Sequence, residues 1–344
     1  MKWASIFPYK KRNAKHALVV ITCMFWMQEI VAQSNSKSFT SLELPSNAVL
    51  SGLGSVNVSK ADYSVDFFQY NPALSSDTLN NWASANHLFY FAGTGMSSFV
   101  YQYGFKNIGA VSFAVNHLNL GSIDGYDNIG VSTGSFNSAE TILTVGKSHQ
   151  VNHFRFGVNV KGLFSNLAGY RANVLLMDLG GVFVHPEKDL SIGLTIKNLG
   201  VVLDEYSPTS TSQLPFDVQA GVTYKPEHMP VRFSATAYRL TDYKVPYQGA
   251  QGDEEMNALD KALSHLTFGA ELLIHRNVNV LFGYNFLRHK ELKMETVGGG
   301  SGVSIGAIAR LKQMSLAFSR TGYVTGGAYQ LSLNINTSKI VNRR

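Results

Sequence analysis

The segment HFRFGVNVKGLFS constrains this chain more than any composition figure. One face reads Phe154, Phe156, Val158, Val160, Gly162 and Phe164, and the other Arg155, Gly157, Asn159, Lys161, Leu163 and Ser165. NVNVLFGYNF repeats the pattern, with Val278, Val280, Phe282, Tyr284 and Phe286 against Asn279, Leu281, Gly283 and Asn285. AYQLSLNIN does the same, with Tyr329, Leu331, Leu333 and Ile335 against Gln330, Ser332, Asn334 and Asn336. Period-2 alternation marks strands with one apolar and one polar face. Each run is roughly nine to twelve residues, the length a tilted strand needs to cross a bilayer.

A soluble sandwich alternates too, so the connectors decide. Strands are expected at 84–92, 96–105, 109–120, 137–149, 152–165, 173–185, 189–198, 215–225, 231–241, 264–275, 277–288, 301–311, 314–323 and 326–336, about fourteen in all. Connectors after even-numbered strands are tight: KNI, QV, PEK, PEHMP, R and KQ. Several after odd-numbered strands are long, at 121–136, 199–214, 242–263 and 289–300. Short turns on one rim and long loops on the other are the outer-membrane pattern, with both termini periplasmic. The expected fold is all-β, a transmembrane antiparallel β-barrel formed by residues 84–336 and followed by a short periplasmic tail at 337–344. A secreted sandwich is the alternative.

Composition agrees. Of 344 residues, 15% are charged and 45% hydrophobic, with 31 Gly, 21 Phe and 16 Tyr; soluble domains average about 25% charged. Polar residues on the inward faces carry both signs: Glu140, Arg155, Lys161, Asp178, Asp217, Gln219, Arg232, Glu271 and Arg310. Mixed signs point to a lumen filled by paired side chains, whereas an ion-selective channel favours one sign.

Residues 1–32 read as a cleaved signal peptide. Lys2, Lys10, Lys11, Arg12 and Lys15 precede the apolar core Ala17–Trp26, which is too short to span, and Ala32 offers a cleavage site. The only cysteine, Cys23, lies inside that core behind Thr22, so a lipoprotein site is disfavoured and the mature chain keeps no thiol. Removing 1–32 leaves 24 basic against 22 acidic residues, so the formal charge falls from +6 to +2. The pI of 9.2 therefore belongs largely to the leader and gives no argument for nucleic-acid binding.

No catalytic set assembles. GVSTG (Gly130–Gly134) fits a nucleophile elbow in spelling, but it sits in a long loop and runs into a strand, where the motif needs a helix. Glu271 and His275 are about 13 Å apart at 3.3 Å per strand residue, too far to share a metal. No zinc or phosphate-loop motif is present. In the loop QGDEEMNALDKALSHL, Asp253 can cap a short helix with Met256, Leu259 and Leu263 on one side. That helix either folds over the barrel mouth or, with Asp253, Glu254, Glu255 and Met256, docks an extracellular partner. The basic knob LRHKELKME, with Arg288, Lys290 and Lys293, can serve the same purpose or pair with the acidic loop.

Ahead of the barrel, VDFFQYNPALSSD packs aromatics around one Asn-Pro step. Pro72 fixes its own φ and pushes Asn71 to extended angles, so Asn71, Pro72, Ala73 and Leu74 form a rigid turn. Phe67, Phe68 and Tyr70 supply bulk that a segment entering a closed barrel packs into the lumen. Residues 33–83 are thus expected to form an N-terminal hatch.

LELPSNAVLSGLGSVNVSKADYSVDFFQYNPAL resembles the N-terminal signature of the FadL-like outer-membrane proteins of type IX secretion systems, the PorV/PorQ group. The shared positions are Leu44-Pro45, Ala48, Leu53-Gly54, Asp62 and Asn71-Pro72-Ala73-Leu74. NVKGLFSNLAGY (159–170), LPFDVQAGV (214–222) and HLTFGAELLIHRNVNVLFGYNFLRHKELKME (265–295) look like PorQ-type blocks in PorQ order, covering essentially the whole mature chain. The resemblance implies a FadL-like barrel with no catalysis and no cofactor. It also implies an attachment complex in which a PorZ-like surface protein is anchored beside PorU and PorV, and cargo is joined to anionic lipopolysaccharide. A PorV-like shuttle and a FadL-type transporter of hydrophobic compounds are the other readings; the transporter requires a continuous apolar pocket from the outer loops into the lumen.

Overall fold

A computed structural model of the chain describes residues 37–242, 258–291, 300–323 and 326–338. Fourteen strands follow in order: β1 Trp82–Phe89, β2 Gly95–Phe105, β3 Gly109–Tyr126, β4 Ser132–Val151, β5 Phe154–Leu167, β6 Tyr170–Val184, β7 Leu190–Asp204, β8 Asp217–Tyr224, β9 Val231–Ala237, β10 Leu266–His275, β11 Val278–Asn285, β12 Val303–Leu311, β13 Met314–Tyr323 and β14 Gly326–Asn336. Each pairs antiparallel with its neighbours in sequence, and β14 returns to β1 with Trp82 opposite Asn336, closing the barrel. Closure leaves no edge strand, so the wall's backbone groups pair without water. No described helix is long and apolar enough to cross a membrane.

The alternation resolves as an inside-out protein. Phe156 is 57% exposed on the outer face, whereas its inward neighbours Asn159 and Asp178 are at 0%. Phe99, Leu194, Phe282 and Leu331 also point outward. Phe105, Phe154, Phe183 and Tyr224 stand near the tight-turn rim, where outer-membrane barrels carry an aromatic girdle.

The tight turns fall where expected, and the corrections lie on the other rim. Residues 121–136, expected as loop, continue β3 and β4 as a paired ribbon up to Tyr126 and Ser132. β2 stops pairing with β3 at Asn119, and β5 stops pairing with β4 at Ala139, so the ribbon stands clear of the wall. With water on both faces, neither face needs to be apolar, and the alternation that betrays a strand is lost. Residues 199–204, also expected as loop, extend β7. Residues 286–288, expected as the end of a strand, turn instead into a short helix. Two such helices sit at this rim, α2 Ala258–Ser264 and α3 Phe286–Glu291, after α1 Ala48–Gly52 in the N-terminal segment.

The chain ahead of β1 lies inside the barrel. Asn47 caps α1 by accepting from Leu50 N at 2.9 Å, and α1 packs on β11–β14. A 3₁₀ turn at Val65–Gln69 meets β1–β4, and another at Pro72–Leu74 meets β4–β6. Leu50, Leu53, Phe67 and Leu74 join Val182, Leu281 and Ile308 in the largest apolar cluster. The expected leader at 1–32 and residues 33–36 lie outside the described residues, as does the tail beyond Ser338.

Candidate functional site: the hatch interface and the loop-side mouth

The Asn-Pro turn seats in a recess cut by two glycines. Asn71 is extended (φ −147°, ψ 112°) and caps the 3₁₀ turn, its Oδ1 accepting from Ala73 N at 3.0 Å. Its Nδ2 donates to Val58 O at 2.8 Å within the hatch and, more weakly, to Gly181 O (3.2 Å) and Leu194 O (3.4 Å) of the wall. Gly157 and Gly180 pair across β5 and β6 beside it. A Cβ at Gly157 would collide with the Pro72 carbonyl, and one at Gly180 with the Asn71 side chain. Ala73 and Leu74 are buried behind them. All four turn residues are thus buried against or beside the wall and leave no surface for a ligand.

A second stretch of wall, around β10, holds the hatch by charge. Glu271 on β10 is fully buried and accepts from five side chains. Its Oε2 takes Lys60 Nζ at 2.5 Å and Arg232 Nη1 at 2.9 Å. Its Oε1 takes the Tyr63 hydroxyl at 2.9 Å, Asn279 Nδ2 at 2.5 Å and Arg310 Nη2 at 3.5 Å. Arg310 also donates to the Tyr63 oxygen at 2.7 Å, and Lys60 Nζ lies 4.0 Å from the Tyr63 ring centre. A carboxylate so fully engaged has no free lone pair for base or nucleophile chemistry. A bulge between Leu272 and His275 separates the latter from Glu271, and His275 accepts from Asn277 N at 3.3 Å instead.

The other inward polar residues pair as the mixed signs imply. Lys161 meets Asp178 at 2.6 Å, and Arg155 meets Asp62 of the hatch at 3.1 Å. Glu140 accepts from Ser165, and Gln219 donates to Asp217. Sequence reasoning missed Lys60 and Tyr63, although Lys60 is the only Lys or Arg between Lys37 and Lys106 and so was a visible signal. It also missed Lys197, which is buried with its Nζ 5.0 Å from the Tyr70 ring centre.

At the loop side a cavity of about 310 Å³ opens above the hatch. Leu42, Leu44 and Leu287 line it together with Lys197, Asp217, Arg239 and Arg288. Arg239 bridges to Glu43 at 3.0 Å. Burial, then neighbouring Tyr323, push the Tyr90 hydroxyl up to about 12, keeping it neutral at ordinary pH. Of the expected docking residues, Arg288 points inward, donating to Ser55 Oγ at 3.0 Å and lying 5.0 Å from the Tyr323 ring centre. Lys290 pairs with Asp260 of α2 at 2.7 Å, so the basic knob does meet the neighbouring loop. Asp253, Glu254, Glu255, Met256 and Lys293 lie outside the described residues. Gly130–Gly134 spans the ribbon tip and the start of β4, with no helix after it. No cluster with metal-ligand chemistry occurs among the described residues.

No family model and no curated protein matches the chain. Solved structures do. A deltaS2 mutant of the TodX monoaromatic hydrocarbon channel superposes with a TM-score of 0.52 at 12% identity, covering 85% of this chain and 97% of that one. The toluene transporter TbuX of Ralstonia pickettii gives 0.48 at 12% identity, over 86% and 98%. A FadL homologue of Pseudomonas aeruginosa gives 0.47 at 9%, over 85% and 98%. The chain shares the fold of the TodX channel, a closed antiparallel β-barrel.

Proposed function

We propose that this barrel is a non-catalytic outer-membrane anchor, closed by its hatch, that holds a surface protein on its loop side. The observation that carries the reading is the filled lumen: hatch residues reach the wall from β1 round to β14, by charge at Glu271 and by close fit at Gly157 and Gly180. A barrel so occupied offers its loops, not its bore. The resemblance supplies the partner: a PorZ-like surface protein in an attachment complex with PorU and PorV, acting at lipopolysaccharide. Among the described residues, the β3–β4 ribbon continues on the loop side beyond the pairing of both its neighbours.

A second reading is a FadL-type transporter of hydrophobic compounds, and the solved neighbours lie nearer to it. TodX is described as a monoaromatic hydrocarbon channel, and the mouth cavity has Leu42, Leu44 and Leu287 in its lining. Against it, the same cavity is lined by Lys197, Asp217, Arg239 and Arg288, and the lumen beneath is filled by the hatch, with its apolar cluster and buried polar pairs leaving no open apolar path among the described residues. Purification of the tagged full chain in mild detergent decides between the two. A stoichiometric surface protein supports the anchor; a stoichiometric hydrophobic small molecule with no protein partner replaces it with transport.

A further inference from the structure

The outer face of β8–β12 carries a groove of about 470 Å³. Its origin is two small residues set among large ones. The register places Ala235 of β9 opposite Phe268 of β10, and Ala270 of β10 opposite Phe233 of β9, so the alanines are diagonal neighbours between the two rings. Tyr224 and Tyr284 stand on the flanking strands. Phe233, Phe268 and Phe282 are each more than 40% exposed, which puts the opening on the outside of the barrel. The wall is thin here: the inward partners are Ser234 and Gly269, and Leu53 of the hatch packs behind Gly269.

We infer that this groove is a binding site for one hydrocarbon chain of a membrane lipid. The groove is continuous with the face that the barrel topology turns toward the bilayer, so the medium bathing it is acyl chain. None of its lining residues is charged, so it recognises the chain and not a headgroup. Its floor is one alanine wide on each of two strands about 4.8 Å apart. That admits a polymethylene chain but not a helix of about 10–12 Å diameter. A chain laid over Ala235 and Ala270 gains dispersion contacts on three sides, where a chain against a uniform aromatic wall has one. The site is separate from the mouth and from the hatch, and holds whichever reading of the function survives.

The test uses the full-length protein, extracted in mild detergent, exposed to vesicles of diacyl phosphatidylethanolamine, washed, and weighed by native mass spectrometry. The wild type is expected to retain one lipid. Ala235→Phe with Ala270→Phe, which fills the groove, is expected to retain at least tenfold less, while its heat-dependent gel shift stays that of a closed barrel. If the double variant does not close, Phe268→Ala removes one side of the groove without adding bulk and should show the same loss. Equal retention in the wild type and a closed variant overturns the site. So does a dimer mass that the filled variant abolishes, since the occupant is then a second copy.

Discussion

The hatch is held on two separate stretches of the wall by different physics. On β9–β12 a single carboxylate gathers Lys60, Arg232, Arg310, Tyr63 and Asn279. On β5–β7 the hold is mainly a turn pressed against Gly157 and Gly180 with amide bonds from Asn71, and the one ion pair to the hatch there, Arg155 to Asp62, lies at its margin with Asp62 partly exposed. The first hold depends on one residue being ionised and present. The second depends on two residues having no side chain at all. A buried charge cluster fails when its centre is removed, because the desolvated partners stay behind; a close fit fails when anything is added.

Open probability in planar bilayers, where an undocked hatch reads as conductance, ranks these holds. Glu271→Ala should have the largest effect, about 3–5 kcal/mol, because the buried Lys60 loses its only carboxylate and the half-buried Arg232 and Arg310 lose theirs on the lumen side. At about 1.4 kcal/mol per decade this is at least a hundredfold rise in the open state. Gly180→Val comes next, at about 1–3 kcal/mol for forced overpacking, or roughly ten- to a hundredfold. If it opens the barrel more than Glu271→Ala does, fit and not charge is the dominant hold. Lys60→Met should cost only about 1 kcal/mol: Arg232 and Arg310 remain on Glu271, and the desolvation of the ammonium is relieved. Glu43→Gln, at the half-exposed bridge to Arg239, should shift conductance by less than about 1 kcal/mol. Deletion of 34–79 removes both holds together, and an inserted barrel with unchanged permeability after that deletion would show that the segment closes nothing.

Much of the wall was legible because period 2 survives wherever lipid lies on one side and the packed lumen on the other. Phe156 and Asn159, or Leu331 and Gln330, declare their faces in the sequence itself. The FFQYNPAL knot was legible as a lumen-packed turn for a different reason, since Pro72 dictates local geometry without help from distant residues. The ribbon at 121–136 was not legible, because its strands meet water on both faces. Nor was the Lys60–Glu271 pair, whose members are 211 residues apart and meet only when the barrel closes around the hatch. The docking residues divide similarly: Arg288 looked like an outward basic residue, yet Ser55 and Tyr323 draw it into the mouth.

The freestanding ribbon has a mechanical meaning. From Asn119, where its last neighbour ends, to Tyr126 is seven residues, about 24 Å at strand rise. At its tip Ile129 and Val131 are bare to solvent, and at its base the pairing slips between Asn119 and Ser122. It is a mast whose foot is bent where the register shifts. A load on the tip would act through about 24 Å of two-stranded ribbon that no third strand holds.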